Sequence, residues 1–143
     1  MALKTISGSS IVLQVNTTSS TGALADVAAS TNGVLSINSE VIDITNKNSG
    51  GNKLYMHGVT SWSVECDAFV LADTTGNRSS DFAKACADGN SINVKFYDTS
   101  GQTNSATYTG VGFVTAWTET GSVGEFATYS VSITGTSTLT VAT

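Results

Sequence analysis

The sequence predicts a mainly β protein, a sandwich or barrel-like sheet with one flanking α-helix. Most of the chain alternates apolar and polar residues at period two, and Gly, Asn, Ser and Thr separate the alternating segments. One segment, at about residues 79–88, has helical spacing with start and stop signals. A length of 143 residues with no evident linker predicts a single domain over residues 1–143.

The first half of the chain contains two predicted strands and two long connections. Residues 9–16 are predicted to form the first strand and residues 33–45 the second. Between them, the Ser, Thr, Ala and Gly residues of 17–32 favour a loop over a short helical turn at Ala23–Ala29. A long loop is predicted over residues 45–58, because Asn, Gly and Ser residues dominate its first half.

The clearest strand is predicted over residues 59–71. One side of this strand is apolar: Trp62, Val64, Cys66, Ala68 and Val70. The other side is polar: Ser61, Ser63, Glu65 and Asp67. A strand with this alternation has one face in the core and one face in solvent or in an interface.

The predicted helix follows a turn at 72–78. Ser79 or Ser80 is expected to cap its start, and Asp81 lies in the first turn, where the helix dipole favours an anion. Phe82 and Cys86 are four residues apart and share one face, and Gly89 ends the helix. A helix with one apolar stripe is stable only when it packs against the sheet.

The remaining strands are predicted at 91–97, about 105–119, about 126–134 and 137–142. The apolar positions of the helix and strands form the predicted core: Trp62, Val64, Cys66, Phe82, Cys86, Ile92, Val94, Phe96, Tyr129, Val131 and Ile133.

Composition argues against several kinds of function. The formal net charge is −5 and the pI is about 4.5, which disfavours general binding to nucleic acid or to an anionic membrane. No apolar stretch is long enough for a membrane-spanning helix, and no signal peptide is evident. A single histidine excludes a two-histidine metal site, and no nucleotide-binding motif predicts a cofactor. Cys66 and Cys86 are expected to be buried free thiols, although a pairing between helix and strand stays open.

Two segments resemble a known family. Residues 40–63 join an Ile-Asp-Ile-Thr strand end to a Lys- and Gly-rich loop and then to Ser-Trp-Ser at a new strand. Residues 127–135, Ala-Thr-Tyr-Ser-Val-Ser-Ile-Thr-Gly, form the second segment. Together they resemble the major tail proteins of long-tailed phages, which form the tail tube. The resemblance covers about residues 30–140, and residues 1–30 match only loosely.

The resemblance implies a structural protein without catalytic, cofactor or metal residues. It implies a β-sandwich with one flanking helix, six copies in a ring, and rings stacked into a hollow tube through which DNA leaves the capsid. The implied partners are other copies of the chain and the tape measure, distal tail and terminator proteins, and DNA passes without specific binding. The implied place is the virion tail, assembled in the host bacterial cytoplasm.

Two sets of residues are candidates for these roles. Candidates for an assembly loop that reaches a neighbouring copy are Asn46, Lys47, Asn48, Lys53, Tyr55 and His57. Candidates for the lumen are Ser61, Ser63, Glu65 and Asp67, with Asp43, Glu119 and Glu125 as further acids. Acids and hydroxyls suit a DNA conduit because they do not hold phosphates as Lys and Arg do.

Two other functions remain as alternatives. A lectin-like or adhesin sandwich would use exposed aromatic residues, for which Tyr97, Tyr108 and Trp117 are candidates. A small hydrolase would combine His57 with Glu65 or Asp67.

Overall fold

The computed structural model describes residues 6–16, 24–27, 30–71, 78–101 and 105–142. The strands in chain order are β1 (Ile11–Asn16), β2 (Ala25–Asp26), β3 (Ser30–Asp43), β4 (Tyr55–Phe69), β5 (Ser91–Asp98), β6 (Thr107–Thr120), β7 (Thr128–Gly135) and β8 (Thr140–Ala142). One α-helix, α1, spans Ser79–Asp88, and short 3-10 turns span Gly8–Ser10 and Lys47–Ser49. The predicted fold class and the helix bounds are therefore confirmed for the described residues.

The eight strands form one antiparallel sheet. Its order is β2-β1-β5-β6-β7-β4-β3, and β8 pairs with the start of β6. The sheet curls on itself, because a Cβ on Gly33 of β3 would lie 3.5 Å from the ring of Phe96 on β5, although three strands separate β3 from β5 in the sheet. The curled sheet has a concave side that holds the core and a convex side that faces outward.

The core lies on the concave side, and α1 packs against it. Phe82 of α1 is fully buried and lies 6.0 Å from the ring of Tyr129. The other predicted core positions are buried or, at Cys86 and Phe96, partly buried against the cluster. Alternation along each strand explains this arrangement, since every second residue points into the concavity.

The start of α1 differs from its predicted form. Neither Ser79 nor Ser80 caps the helix; the N-cap position is Arg78, whose backbone N–H donates to Asp81 Oδ2 at 2.9 Å. Asp81 thus accepts from the backbone amide of Arg78 at the positive end of the helix dipole. The predicted end is correct, because Gly89 has a φ of 67° and stops the helix in the left-handed conformation.

Three strand boundaries also differ from prediction. Residues 8–10 form a 3-10 turn rather than the start of β1. Strand residues 25–26 and 30–32 lie within the predicted loop 17–32, so the helical alternative is wrong there, while residues 17–23, 28 and 29 lie outside the described residues. Strand β4 begins at Tyr55, four residues before its predicted start, because it pairs with β3 almost to the end of a long hairpin.

Candidate assembly surfaces

The outward side of β4 and β7 carries a continuous set of hydroxyls and acids. We call this set the polar sheet face: Ser61, Ser63, Glu65, Asp67, Ser130, Ser132 and Thr134. The strand register places Glu65 opposite Ser132 and Asp67 opposite Ser130. The Ser130 hydroxyl donates to Asp67 Oδ1 at 2.6 Å, and Thr115 on β6 donates to the Ser132 carbonyl oxygen at 3.3 Å. Cross-strand pairs of this kind fix the polar side chains against the sheet.

The polar sheet face carries acids without neighbouring bases. Within the described ranges, the Lys and Arg residues lie on other elements: Lys47 and Lys53 in the β3–β4 loop, Arg78 and Lys84 at the helix, and Lys95 on β5. Lys95 is on the outward side of the sheet, and β6 separates it from the polar sheet face. The Lys95 ammonium lies 4.5 Å above the ring of its strand neighbour Tyr97. A surface with Glu65 and Asp67 and many hydroxyls repels a polyanion rather than holding it.

The other three candidate acids lie away from the polar sheet face. Alternation along β3 places Asp43 on the opposite side from Val34, the residue that pairs with Glu65. Glu119 pairs with the buried residue Tyr129, on the concave side. Glu125 lies in the turn between β6 and β7.

Glu119 instead fixes the helix to the sheet. The buried Ser79 hydroxyl donates to Glu119 Oε1 at 2.7 Å, and Trp117 Nε1–H donates to Ser79 Oγ at 3.2 Å. The chain Trp117–Ser79–Glu119 ties the first residue of α1 to β6. The sequence contained no signal for this contact, because its partners are about 40 residues apart and only the fold brings them together.

The hairpin of β3 and β4 extends from the sheet as an exposed arm. We define the arm as residues 40–58, in which Asp43 pairs with Tyr55 and Ile42 with Met56. Apart from the partly exposed Ser49 and Gly58, every residue of the arm is exposed. In the described residues β3 pairs only with β4, so its other edge offers unpaired backbone groups over 14 residues.

The tip of the arm is an ordered loop. Asn46 Oδ1 accepts from the Asn48 amide at 2.8 Å, and Ser49 Oγ accepts from the Asn46 amide at 3.0 Å. Gly50 and Gly51 follow with φ values of 65° and 81°, which favour glycine. The Thr45 hydroxyl accepts from the Leu54 amide at 2.8 Å and closes the loop. Hydrogen bonds from the Thr45 side chain and amide lower the pKa of the Asp43 carboxyl and keep it charged.

The prediction that Tyr55 and His57 belong to a loop is wrong, because both are strand residues of β4. Between the pairs Ser39–Thr60 and Val41–His57, β4 advances three residues while β3 advances two. The extra residue is a β-bulge at Gly58 and Val59, and it shifts the alternation of β4 by one position. Gly58 fits there because a Cβ would lie 3.0 Å from Glu40 Cβ.

One side of the arm is apolar and exposed. We call this side the apolar arm face: Ile42, Ile44, Leu54 and Met56, which are 43–50% exposed. Ile42 and Met56 are direct cross-strand partners, and the Ile44 amide donates to the Leu54 carbonyl oxygen at 2.9 Å. This face was not predicted from the sequence, although the period-two spacing of these residues on both sides of the loop indicates it.

The lectin-like alternative requires exposed aromatic rings, and its three candidates are only partly exposed. Tyr97, Tyr108 and Trp117 are each partly buried. Trp117 packs against the core and donates to Ser79, and Tyr97 lies under Lys95. Their partial burial therefore disfavours these three residues as a sugar-stacking platform.

The hydrolase alternative requires His57 to face an acid, and the fold separates them. His57 lies on the arm beside Val41, and its Nε2 contacts the Thr60 hydroxyl at 3.2 Å. Glu65 lies eight residues further along β4, on the polar sheet face. In the part of the chain that the structure describes, no group of three His, Cys, Asp or Glu residues lies close enough to hold a metal ion.

The two cysteines are free thiols in the structure. Burial, with a smaller contribution from the charge of Asp67, raises the pKa of the Cys66 thiol to about 12. A thiol with so little thiolate at neutral pH packs as a small apolar side chain. Of the described helices, none has the length and apolar character to cross a membrane.

Comparisons with known proteins point to one class of structure. A family model described as phage tail tube protein matches residues 5–141. A chain from the virion of a native gene transfer agent particle is 16% identical with a TM-score of 0.77, over 97% of this chain and all of that chain. A chain from the tail of an empty gene transfer agent particle, computed with C6 symmetry, is 18% identical with a TM-score of 0.77 and the same coverage.

A chain of the SPP1 tail tube is 14% identical with a TM-score of 0.75, over 96% of this chain and 78% of that chain. At these identities the likeness is one of fold. A comparison with curated protein sequences gives no significant match.

Proposed function

Because this chain belongs to the phage tail tube protein family, we propose that its copies close into rings and that the rings stack into the tube of a virion tail. The observation that carries the proposal is the family match over residues 5–141, which includes both the arm and the sheet. The C6 symmetry of the similar gene transfer agent tail supports six copies in a ring. The whole chain, residues 1–143, acts as one tail tube domain.

The arm and the free edge of β3 supply the contacts for this assembly. An unpaired strand edge favours pairing with another chain, and in a ring this contact closes on itself. The apolar arm face loses exposed apolar area when it packs on a neighbouring copy. The same contact brings other arm residues to the neighbouring copy: Asn46, Lys47, Asn48 and Lys53 in the loop and Tyr55 and His57 on β4.

The polar sheet face lines the lumen, and DNA slides past it without specific binding. Support comes from the outward direction of Glu65 and Asp67 and from the position of the described Lys and Arg residues on other elements. Asp43, Glu119 and Glu125 are left out of the lumen because their positions differ from that face. The tape measure, distal tail and terminator proteins complete the tail, and assembly takes place in the host bacterial cytoplasm.

Electron microscopy of the purified protein tests the assembly. We expect rings or tubes about 100 Å wide, which is the span of a ring of domains of this size. Sedimentation at increasing protein concentration tests assembly in solution, since rings and tubes sediment faster than the monomer. A protein that stays monomeric at every concentration, also after other tail components are added, contradicts the proposal.

A charge reversal at Glu65 tests the lumen. Glu65→Lys is expected to leave the fold and the tubes intact, because Glu65 is exposed, and to make the tubes retain linear DNA at low salt. Each copy changes by two charge units, and co-sedimentation of DNA with tubes measures the effect. The matched control is Glu65→Gln, which removes one charge and adds none. Equal DNA retention by the Lys variant, the Gln variant and the original protein would place Glu65 outside the lumen.

A further inference from the structure

The hairpin that ends in the arm is anchored in the core through one of its two strands. Strand β4 pairs with β7 from Ser63 to Phe69, whereas the described residues before Ser63 pair only with β3. Trp62 lies at this boundary and is 3% exposed, but its cross-strand partner Ile37 on β3 is 47% exposed. The β4 side, at Trp62, therefore holds the hairpin where it leaves the sheet.

The Trp62 indole lies in a cradle of two glycines. A Cβ on Gly135, at the end of β7, would overlap the ring, and a Cβ on Gly110 of β6 would lie 2.6 Å from Trp62 Cζ2. The ring approaches both backbones so closely that neither position has room for a side chain. Trp62 Nε1–H donates to the Ser137 carbonyl oxygen at 2.7 Å. In the described part of the chain, this is the one hydrogen bond that joins the side chains of residues 55–62 to a residue outside the hairpin.

The acceptor of this hydrogen bond is itself fixed on β6. The Thr136 amide and hydroxyl donate to the Val111 carbonyl oxygen at 2.9 Å and 3.2 Å, and the Val111 amide donates to Ser137 Oγ at 3.3 Å. These bonds hold the turn between β7 and β8 and with it the Ser137 carbonyl group. We call the Trp62 indole and residues 136–137 the root clamp, because together they join the arm side of β4 to β6 and β7.

We propose that Trp62 is a positioning residue that sets the direction in which the arm leaves the sheet. A two-stranded hairpin has little stability of its own, so the rest of the sheet has to fix its direction. Residues 55 and 62 are roughly 23 Å apart along the strand, so a rotation of about 10° at Trp62 moves the far end by about 4 Å. A gap of about 1 Å already removes up to half of a van der Waals contact.

The effect on assembly rests on the proposed function, in which the arm contacts a neighbouring copy. An arm with one fixed direction loses little conformational freedom when it binds, whereas a loose arm has to be ordered at that moment. Because Trp62 is buried in its own subunit, it acts through the arm and not by contact with another copy.

A Trp62→Phe variant tests the root clamp, because it keeps an aromatic ring and removes the N–H donor. We expect the critical concentration for tube formation to rise about tenfold, which corresponds to about 1.4 kcal/mol of contact free energy. The matched control is Val131→Ala, which removes part of a fully buried side chain on β7, four residues from Gly135. This control is expected to lose stability as well but to assemble at the original concentration. Thermal unfolding verifies that both variants are folded at the assay temperature.

A second variant leaves the core intact. Thr136→Val with Ser137→Ala removes two side-chain hydrogen bonds to Val111 at exposed positions, so the fold is kept. The looser turn is expected to raise the critical concentration about threefold. The control Thr138→Ala removes a hydroxyl from the same turn without touching the bonds to Val111, and it is expected to assemble like the original protein.

The direction of the arm is measured in the monomer, below the concentration at which tubes form. Spin labels at Lys53→Cys in the arm tip and Lys84→Cys on α1 report the distance between arm and body by electron paramagnetic resonance. The partly buried Cys86 is replaced by Ala in this background, and Cys66 is buried. We expect a narrow distance distribution with Trp62 and a broad one with Trp62→Phe. A loss of stability alone, as in Val131→Ala, leaves the distribution narrow.

The outcomes separate this inference from the proposed function. Unchanged distance distributions in both clamp variants overturn the positioning role of Trp62. Original protein that forms no tubes overturns the proposed function, and the monomer distances then still decide whether Trp62 directs the arm. Broadened distributions together with an unchanged critical concentration overturn the effect on assembly.

Discussion

Alanine at Gly135 is expected to destabilise the protein by about 3 kcal/mol, at the upper end of the range for overfilled cores. Trp62 is 3% exposed, and a Cβ on Gly135 would overlap its indole ring. The ring cannot move aside easily. A Cβ on Gly110 would lie 2.6 Å from Trp62 Cζ2, so the ring also packs closely against Gly110, and Trp62 Nε1–H donates to the Ser137 carbonyl oxygen at 2.7 Å.

Chemical and thermal unfolding measure this effect. A loss of about 3 kcal/mol corresponds to a drop of about 10 °C in the thermal midpoint for a chain of this size. Gly121→Ala is the matched control, because nothing lies within 4 Å of the added methyl group and its backbone needs no positive φ. The control is expected to stay within about 0.5 kcal/mol of the original protein. Equal stabilities of the two variants would show that Trp62 does not pack against Gly135.

The pattern of β4 and the helix could be predicted because local sequence determines them. The alternation from Trp62 to Ala68 is strict, and the structure buries each of these apolar positions. The helix has an acid in its first turn and Gly89 after its last, and its bounds are those predicted. In both cases the spacing of the apolar residues and the residues at the ends of the element predict the same structure. Sequence patterns are most reliable when such signals agree.

The arm was predicted only in part, since residues 40–43 lie in the predicted strand 33–45 but residues 55–58 of β4 were assigned to a loop. Its strands expose apolar residues on one face, and a bulge at Gly58 and Val59 interrupts the alternation of β4. A strand prediction that expects every second residue to face a core therefore assigns these residues to a loop. The exposure of Val123 and Phe126 was not predicted either, and Phe126 lies between β6 and β7 rather than in the predicted strand 126–134. The apolar arm face is the surface for which we propose contacts between copies, and local rules that place apolar residues in a core fail at such a site.

The placement of the acids shows a further limit. Glu65 and Asp67 follow the alternation of a single strand, so their shared face was evident from the sequence. Glu119 also lies on a strand, but its carboxylate accepts from Ser79 on the helix. Which side of a strand faces the helix depends on the curl of the whole sheet, and that is a property of pairing between distant segments.

Two aspartates on the apolar arm face are expected to abolish tube formation while leaving the monomer folded. Ile42→Asp with Met56→Asp replaces a cross-strand pair whose members are 44% and 50% exposed. In the isolated subunit the new carboxylates stay in water, so unfolding is expected to shift by about 1 kcal/mol at most. In the assembled tube they would be buried without partners, which costs several kcal/mol per ion and repeats at every copy.

Electron microscopy and sedimentation of this variant provide the measurement, and circular dichroism verifies the fold. The matched control is Ile42→Val with Met56→Leu, which keeps both positions apolar and is expected to assemble like the original protein. Both variants have an arm of the same length and the same loop. A difference in assembly between them therefore reports on burial of the apolar arm face. Tubes of normal length from the aspartate variant would show that the apolar arm face stays in solvent, and the assembly contacts would then have to come from the free edge of β3 alone.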